Sequence, residues 1–172
     1  MRAAQVSRGN LVTRLSLCTI MTALVAVGTL IIRIPNPLGG YFNVGDVMVF
    51  VSSLVFGPFV GAFAGGLGSA ISDMIGFPSF VVPTLIIKGV EGLLAGLVTD
   101  RRSISRDVLA VIVGGTAMIV GYFAAEAYPL GWGIPGALTE VPTNVLQALV
   151  GGIVGIPLSR VVRRRLPQIL RS

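Results

Sequence analysis

Lys88 and Glu91 stand three residues apart inside Phe80–Thr99, a stretch otherwise apolar enough to cross a membrane. Ionisable groups at such depth cost about 2.5–3.5 kcal/mol each on insertion scales, so their presence calls for a reason. On a helix this spacing puts both side chains on one face. Two readings follow: a self-neutralising ion pair that makes insertion tolerable, or polar contacts for a ligand. More polar groups occur on later apolar runs, with Tyr122 and Glu126 towards the end of one and Asn144 and Gln147 in the next. Asp46 and Asp73 also sit on apolar runs, and Val44-Gly45-Asp46 bears a faint likeness to the Gly-x-Gly-Asp of intramembrane aspartyl proteases. A plainer reading makes Asn43 a helix cap and places Asp46 at the third helical position, where a carboxylate suits the helix dipole.

Other chemistry is excluded by composition. There is no histidine, which removes imidazole-based metal sites and Ser-His or Cys-His nucleophiles. The single cysteine, Cys18, cannot form an intramolecular disulfide and reads as a small packing residue. Lys88 is the only lysine and no Gly-x-x-x-x-Gly-Lys-Ser/Thr stretch exists, so the chain has no phosphate-binding loop of its own. No cofactor is implied.

The elements that carry these residues are membrane helices. Of 172 residues, 53% are hydrophobic and 12% charged, about half the charge of a soluble domain. Apolar runs cover Leu15–Ile32, Val47–Phe56, Phe59–Phe77, Phe80–Thr99, Val108–Ala125 and Val141–Ser159. Five approach the roughly 20 residues that a crossing needs; the second is short, either a thin crossing or half of a re-entrant hairpin with the third. Leu15–Ile32 is longer than a signal-peptide core and lacks a small-residue cleavage site, so it reads as the first membrane helix. The whole chain, 1–172, reads as one all-α transmembrane domain of six helices.

The arginines orient it. Arg2, Arg8 and Arg14 precede the first run, Arg101, Arg102 and Arg106 occupy the central loop, and Arg160, Arg163, Arg164, Arg165 and Arg171 end the last run or follow it. Arg33 alone lies beyond the first helix. By the positive-inside rule both termini and the Arg101–Arg106 loop are cytoplasmic. The net charge of +6 therefore speaks for a membrane surface and against nucleic acid. The outer connections are then Arg33–Asn43, a short turn at Phe77–Ser79, and Tyr128–Leu138. The first contains Pro35, Pro37, Gly39 and Gly40; the last contains Pro129, Gly131, Trp132, Gly133, Pro135 and Gly136. These are either ordered lids or plain interfacial loops with aromatic anchors.

Depth arithmetic at 1.5 Å per residue gathers the polar groups near the outer face. With the fourth helix starting near Val82, Lys88 lies about 9 Å down. With the sixth starting near Glu140 after a Thr139 cap, Asn144 lies about 6 Å and Gln147 about 10 Å down. Tyr122 and Glu126 lie about 9 Å and 3 Å below the rim. A polar pocket opening outward fits this asymmetry. Small-residue stripes, Gly57/Gly61/Gly65/Ser69 with Ala62/Gly66/Ala70, Cys18/Thr22/Ala26 with Thr19/Ala23, and Ala148/Gly151/Gly152/Gly155, suit internal helix packing or docking of a second membrane protein.

Gly40-Tyr41-Phe42-Asn43-Val44-Gly45-Asp46, then Phe56-Gly57-Pro58 through Gly61, Gly65, Gly68-Ser69 and Asp73, then Pro83-Thr84 with Lys88-Gly89-Val90-Glu91-Gly92, together resemble the substrate-binding S component of energy-coupling factor (ECF) transporters, in particular the riboflavin-type or unassigned group. The resemblance implies a plasma-membrane protein of six helices that binds a vitamin-like small molecule. It also implies work with a membrane coupling subunit and two cytoplasmic ATPases, and tilting in the bilayer to carry the ligand inward. It places the ligand near the outer face, among the first outer loop and helices four to six. The expected ligand-binding set is therefore Lys88, Glu91, Asn144, Gln147, Tyr122, Glu126, Trp132 and Asn43. Riboflavin, a B6-like or pyrimidine precursor and a corrinoid are all open as ligands. The alternative reading is a stand-alone channel or small-solute transporter that oligomerises through its glycine faces.

Overall fold

In a computed structural model of the chain, residues 2–35, 40–100 and 102–165 are described, with side chains from residue 11 onward. Pro37, Gly39, Arg101 and Arg171 lie outside the described residues, as do the side chains of Arg2 and Arg8. Six helices account for nearly all of the fold: α1 (Arg2–Ile31), α2 (Gly45–Phe56), α3 (Pro58–Gly76), α4 (Val81–Val98), α5 (Ile104–Ala127) and α6 (Gly133–Arg165). All but α2 contain stretches long and apolar enough to cross a membrane. Among the described residues the connection after α1 forms a small antiparallel hairpin, β1 (Arg33–Pro35) and β2 (Tyr41–Asn43), with Ile34 opposite Phe42.

Successive helices run antiparallel. At one end Arg163 near the end of α6 donates to the Leu54 carbonyl of α2 and to Asp107 at the start of α5, which also accepts from Thr99 after α4. At the other, the hairpin meets α3 and α6, and Thr84 of α4 meets Tyr122 of α5. α2 connects the two ends, so it is not half of a re-entrant hairpin. It is only about 18 Å long, yet Gly45, Asp46 and every residue from Val49 to Val55 are buried. A helix enclosed by protein all round has no need to match the lipid thickness. Its hydroxyls are absorbed locally, with Ser52 donating to the Met48 carbonyl at 2.6 Å and Ser53 to that of Val49 at 2.8 Å. Gly57, at φ 91°, then turns the chain into Pro58 at the start of α3.

Glycine decides how close the helices come. A methyl on Gly65 would lie 2.6 Å from the Lys88 carbonyl, and one on Gly66 would lie 2.7 Å from that of Leu85, so α3 and α4 pack almost backbone to backbone. Gly151 brings α6 against Asp46 and Phe50 of α2, where an added methyl would lie 2.8 Å and 3.0 Å away. The α3 and α6 stripes are therefore used for internal packing. The α1 stripe divides: Cys18 and Ala26 are buried, whereas Thr19 and Ala23 face outward.

α6 departs from the expectation. It begins at Gly133 rather than near Glu140, so the connection from α5 shrinks to the residues between Ala127 and Gly133, and Pro142 lies inside the helix. Thr139 is not a cap; its hydroxyl donates to the Gly136 carbonyl at 2.7 Å within the helix. The early start is possible because Pro135 occupies the first turn, where its missing N–H costs nothing. The cap ahead of α2 also differs. Val44 is the capping residue and Asp46 the second helical one, while Asn43 Oδ1 accepts from the Gly45 N–H at 2.8 Å, one step earlier.

Candidate functional site

The end of the bundle that carries the hairpin holds a small cavity. It is lined by Gly40, Tyr41 and Asn43 from the hairpin side, Asp73 from α3, Phe80 and Thr84 around the start of α4, Tyr122 and Glu126 from α5, and Glu140, Asn144 and Gln147 from α6. Its volume of about 30 Å³ is room for a water or two and no more. The hairpin closes it. Tyr41 donates a hydrogen bond from its hydroxyl to Asp73 and stacks on Phe77 with ring centroids 4.4 Å apart. Burial and the neighbouring Asp73 carboxylate push the Tyr41 phenol well above its usual range, so it stays a donor. Arg33 lies over the Tyr41 ring at 4.8 Å and donates to the Ser72 carbonyl near the α3 C-terminus at 2.6 Å, where a cation suits the helix dipole.

Under the cavity is a fully buried ion cluster. Lys88 Nζ donates to Glu91 Oε2 at 2.8 Å, as the helical spacing implies, and also to Asp46. Gln147 joins this cluster to the cavity: its Nε2 donates to Asp46 Oδ1 at 3.3 Å. Its Oε1 accepts from the Asn43 backbone at 3.1 Å and from the Asn43 side chain at 3.0 Å. Five of the eight expected residues, Asn43, Tyr122, Glu126, Asn144 and Gln147, thus line one space. Lys88 and Glu91 stand beneath it, Lys88 Nζ 5.8 Å from the Tyr122 ring centre. Trp132 stands beside it, edge-on to Phe80 at 5.5 Å, and Phe80 in turn lies 6.4 Å from Tyr122.

Sequence reasoning left out Gly40, Tyr41, Asp73, Phe80, Thr84 and Glu140 as lining residues. Glu140 was hidden by the late start assigned to α6. Tyr41 and Gly40 were within the recognised Gly40–Asp46 motif, which was the available signal. Gly40 permits a close approach: a methyl there would sit 2.6 Å from the Glu140 carboxylate. Asp46 stands in the first turn of α2, as read, and is also an ion-pair partner of Lys88.

A polar cavity at one end of a scaffold of six apolar helices is matched by what the sequence is similar to. The family described as "ECF-type riboflavin transporter, S component" matches residues 10–164. The chain belongs to this S-component family. It is also 41% identical over 148 residues, covering 85% of this chain and 99% of the other, to "Uncharacterized protein in gap 3'region" of Pyrococcus woesei. To "Thiamine precursor transporter HmpT" of Lactococcus lactis subsp. cremoris it is 31% identical over 156 residues, 89% of each chain. The S component is accordingly a multi-pass plasma-membrane transport protein and not an enzyme. Asp46 and Asp73, weighed as a catalytic pair, are engaged separately, Asp46 by Lys88 and Asp73 by Tyr41.

Proposed function

We propose that this S component captures a vitamin or vitamin precursor in the cavity between the hairpin and α4, α5 and α6, for uptake energised by a separate membrane coupling subunit and two cytoplasmic ATPases. The observation that carries the reading is the convergence of Asn43, Tyr122, Glu126, Asn144 and Gln147 on one space at the end opposite the arginine-rich one. Both termini and the 101–106 connection are then cytoplasmic, and the cavity opens outward. Family and relatives support this ligand class, one through riboflavin in its description and one through a thiamine precursor. The hairpin, held to Asp73 through Tyr41, would lift to admit a ligand. Lys88, Glu91 and Asp46 act from below, holding Gln147 and, through it, Asn43.

Affinity purification of the tagged chain from its native membrane, followed by native mass spectrometry, tests the reading. Recovery of a membrane subunit, two ATPases and a small bound molecule is the expected result. Recovery of the chain alone as a homo-oligomer would favour a stand-alone channel. Against that alternative, the α3 and α6 glycine faces are consumed by internal packing.

A further inference from the structure

The ion cluster beneath the cavity is unbalanced. Lys88 pairs with both Asp46 and Glu91, so the three groups, all ionised, would carry one excess negative charge. Their side chains are 2%, 1% and 0% exposed, which leaves that charge without solvent screening. Among the described residues, the groups packed around the cluster bring no second cation. Tyr122 of α5 turns its ring to Lys88 and its hydroxyl to Thr84. Asp73 of α3 is engaged by Tyr41 of the hairpin, and Arg33 donates to the Ser72 carbonyl. Glu126 and Glu140 line the cavity above, and α6 meets the cluster with the neutral Gln147. Arg160 and Arg163 of α6 lie with Asp107 at the opposite end. On α1, Cys18 packs among apolar residues and Arg14 is exposed.

Two atoms add an independent observation. Asp46 Oδ2 and Glu91 Oε1 are buried, and neither has a hydrogen-bond partner among the described residues. A buried carboxylate oxygen without a donor is costly and uncommon in folded proteins. The other oxygens of the same groups, Asp46 Oδ1 and Glu91 Oε2, both accept from Lys88 Nζ. Two carboxyl heads therefore crowd around one nitrogen, and carboxylates sharing a site relieve their repulsion by keeping one proton. The donors are unequal: Asp46 accepts from Lys88 and Gln147, Glu91 from Lys88 alone. Donated hydrogen bonds favour the ionised form, which leaves Glu91 as the proton's holder.

We propose that the cluster is a one-proton binding site, in which Glu91 carries the proton and Asp46 stays ionised as the counter-ion of Lys88. The Glu91 O–H then has the unpartnered Asp46 oxygen to donate to, directly or across one water. The site is joined to the cavity, since Gln147 donates to Asp46 and accepts from Asn43 of the hairpin. Loss of the proton would place net negative charge beside the residue that anchors the hairpin.

Infrared spectroscopy of the purified, ligand-free full chain at neutral pH tests this through the carbonyl stretch of a protonated carboxyl, which a carboxylate lacks. One such band of the wild type should be absent from Glu91→Gln and also from Asp46→Asn. In Asp46→Asn, Glu91 becomes the partner of Lys88 and gives up its proton, so its band disappears through substitution of a neighbour. An ion cluster with no bound proton shows no such cross-effect. Heavy-carbon labelling of the glutamate carboxyls should displace the same band. Both amide variants keep the cluster neutral and should fold, and one folded variant suffices for the comparison. A wild-type band that persists in either variant, no band to lose, an unmoved band after labelling, or failure of both variants to fold would each overturn the proposal.

Discussion

At the scale of single residues, the buried Lys88 serves two carboxylates, and this sets how its variants behave. Lys88→Ala leaves Asp46 and Glu91 buried without their cation, a change that costs about 3–5 kcal/mol when one partner of such a group is removed. Thermal unfolding in detergent should show that loss, and Lys88→Ala/Glu91→Ala should recover only part of it because Asp46 stays unpaired. Full recovery in the double variant would mean that Asp46 is not a partner. Asn144→Ala, by contrast, should weaken ligand binding roughly 10-fold while leaving the melting temperature unchanged, as expected for a lining residue outside the ion cluster. The Lys88–Glu91 pair was legible in the sequence because helical period alone brings residues three apart together. Asp46 was not, since it lies 42 positions from Lys88 and only the packing of α2 against α4 unites them. The approach of Gly40 to Glu140 was illegible for the same reason: one is in a loop, the other on a helix about a hundred residues later.

At the scale of elements, hydropathy located all six helices but not the ends that form the site. α6 gains two turns because a proline- and glycine-rich stretch that reads as loop is also compatible with a helix start. The hairpin was visible only as a connection rich in proline and glycine, and its order comes from Tyr41 on Asp73 and Phe77, a contact between distant segments. Tyr41→Phe removes the hydroxyl donor and leaves Asp73, 1% exposed, without it. A hydrogen bond to a charged group is worth about 1.5–3 kcal/mol, so dissociation of the bound molecule should accelerate by roughly 10-fold or more, followed through Trp132 fluorescence in a stopped-flow instrument. An unaltered rate would show that the hairpin does not limit release. α1 makes a different prediction. Of its two small-residue lines, Thr19 and Ala23 alone remain open to a partner, so Ala23→Trp should lower recovery of the coupling subunit without changing ligand affinity. Normal recovery would move the docking surface elsewhere.

At the scale of the whole molecule, the proposed orientation rests on the arginines, and single-cysteine labelling of intact cells should find positions in the 101–106 connection protected from outside reagents. Labelling there would invert the molecule in the membrane. Arg163 bears on a second property. Its guanidinium holds both carboxylate oxygens of Asp107, at 2.9 Å and 3.0 Å, the Thr99 hydroxyl at 3.1 Å, and the Leu54 carbonyl. One planar fork therefore fastens the ends of α2, α4, α5 and α6 away from the hairpin, and Arg163→Lys, with its point-like ammonium, should not replace it. Among the described residues the hairpin end is held by several separate contacts, of Tyr41, Arg33 and Asn43, and not by one shared fork, and we expect stiffness to be graded along the long axis. In deuterated buffer the amides of α2 and the inner turns of α5 and α6 should exchange slowest and those of Tyr41–Asn43 fastest, while Arg163→Ala should flatten that gradient. The protein is in this sense a vessel with a knotted base and a soft rim, and its slowest clock runs at the end farthest from the ligand.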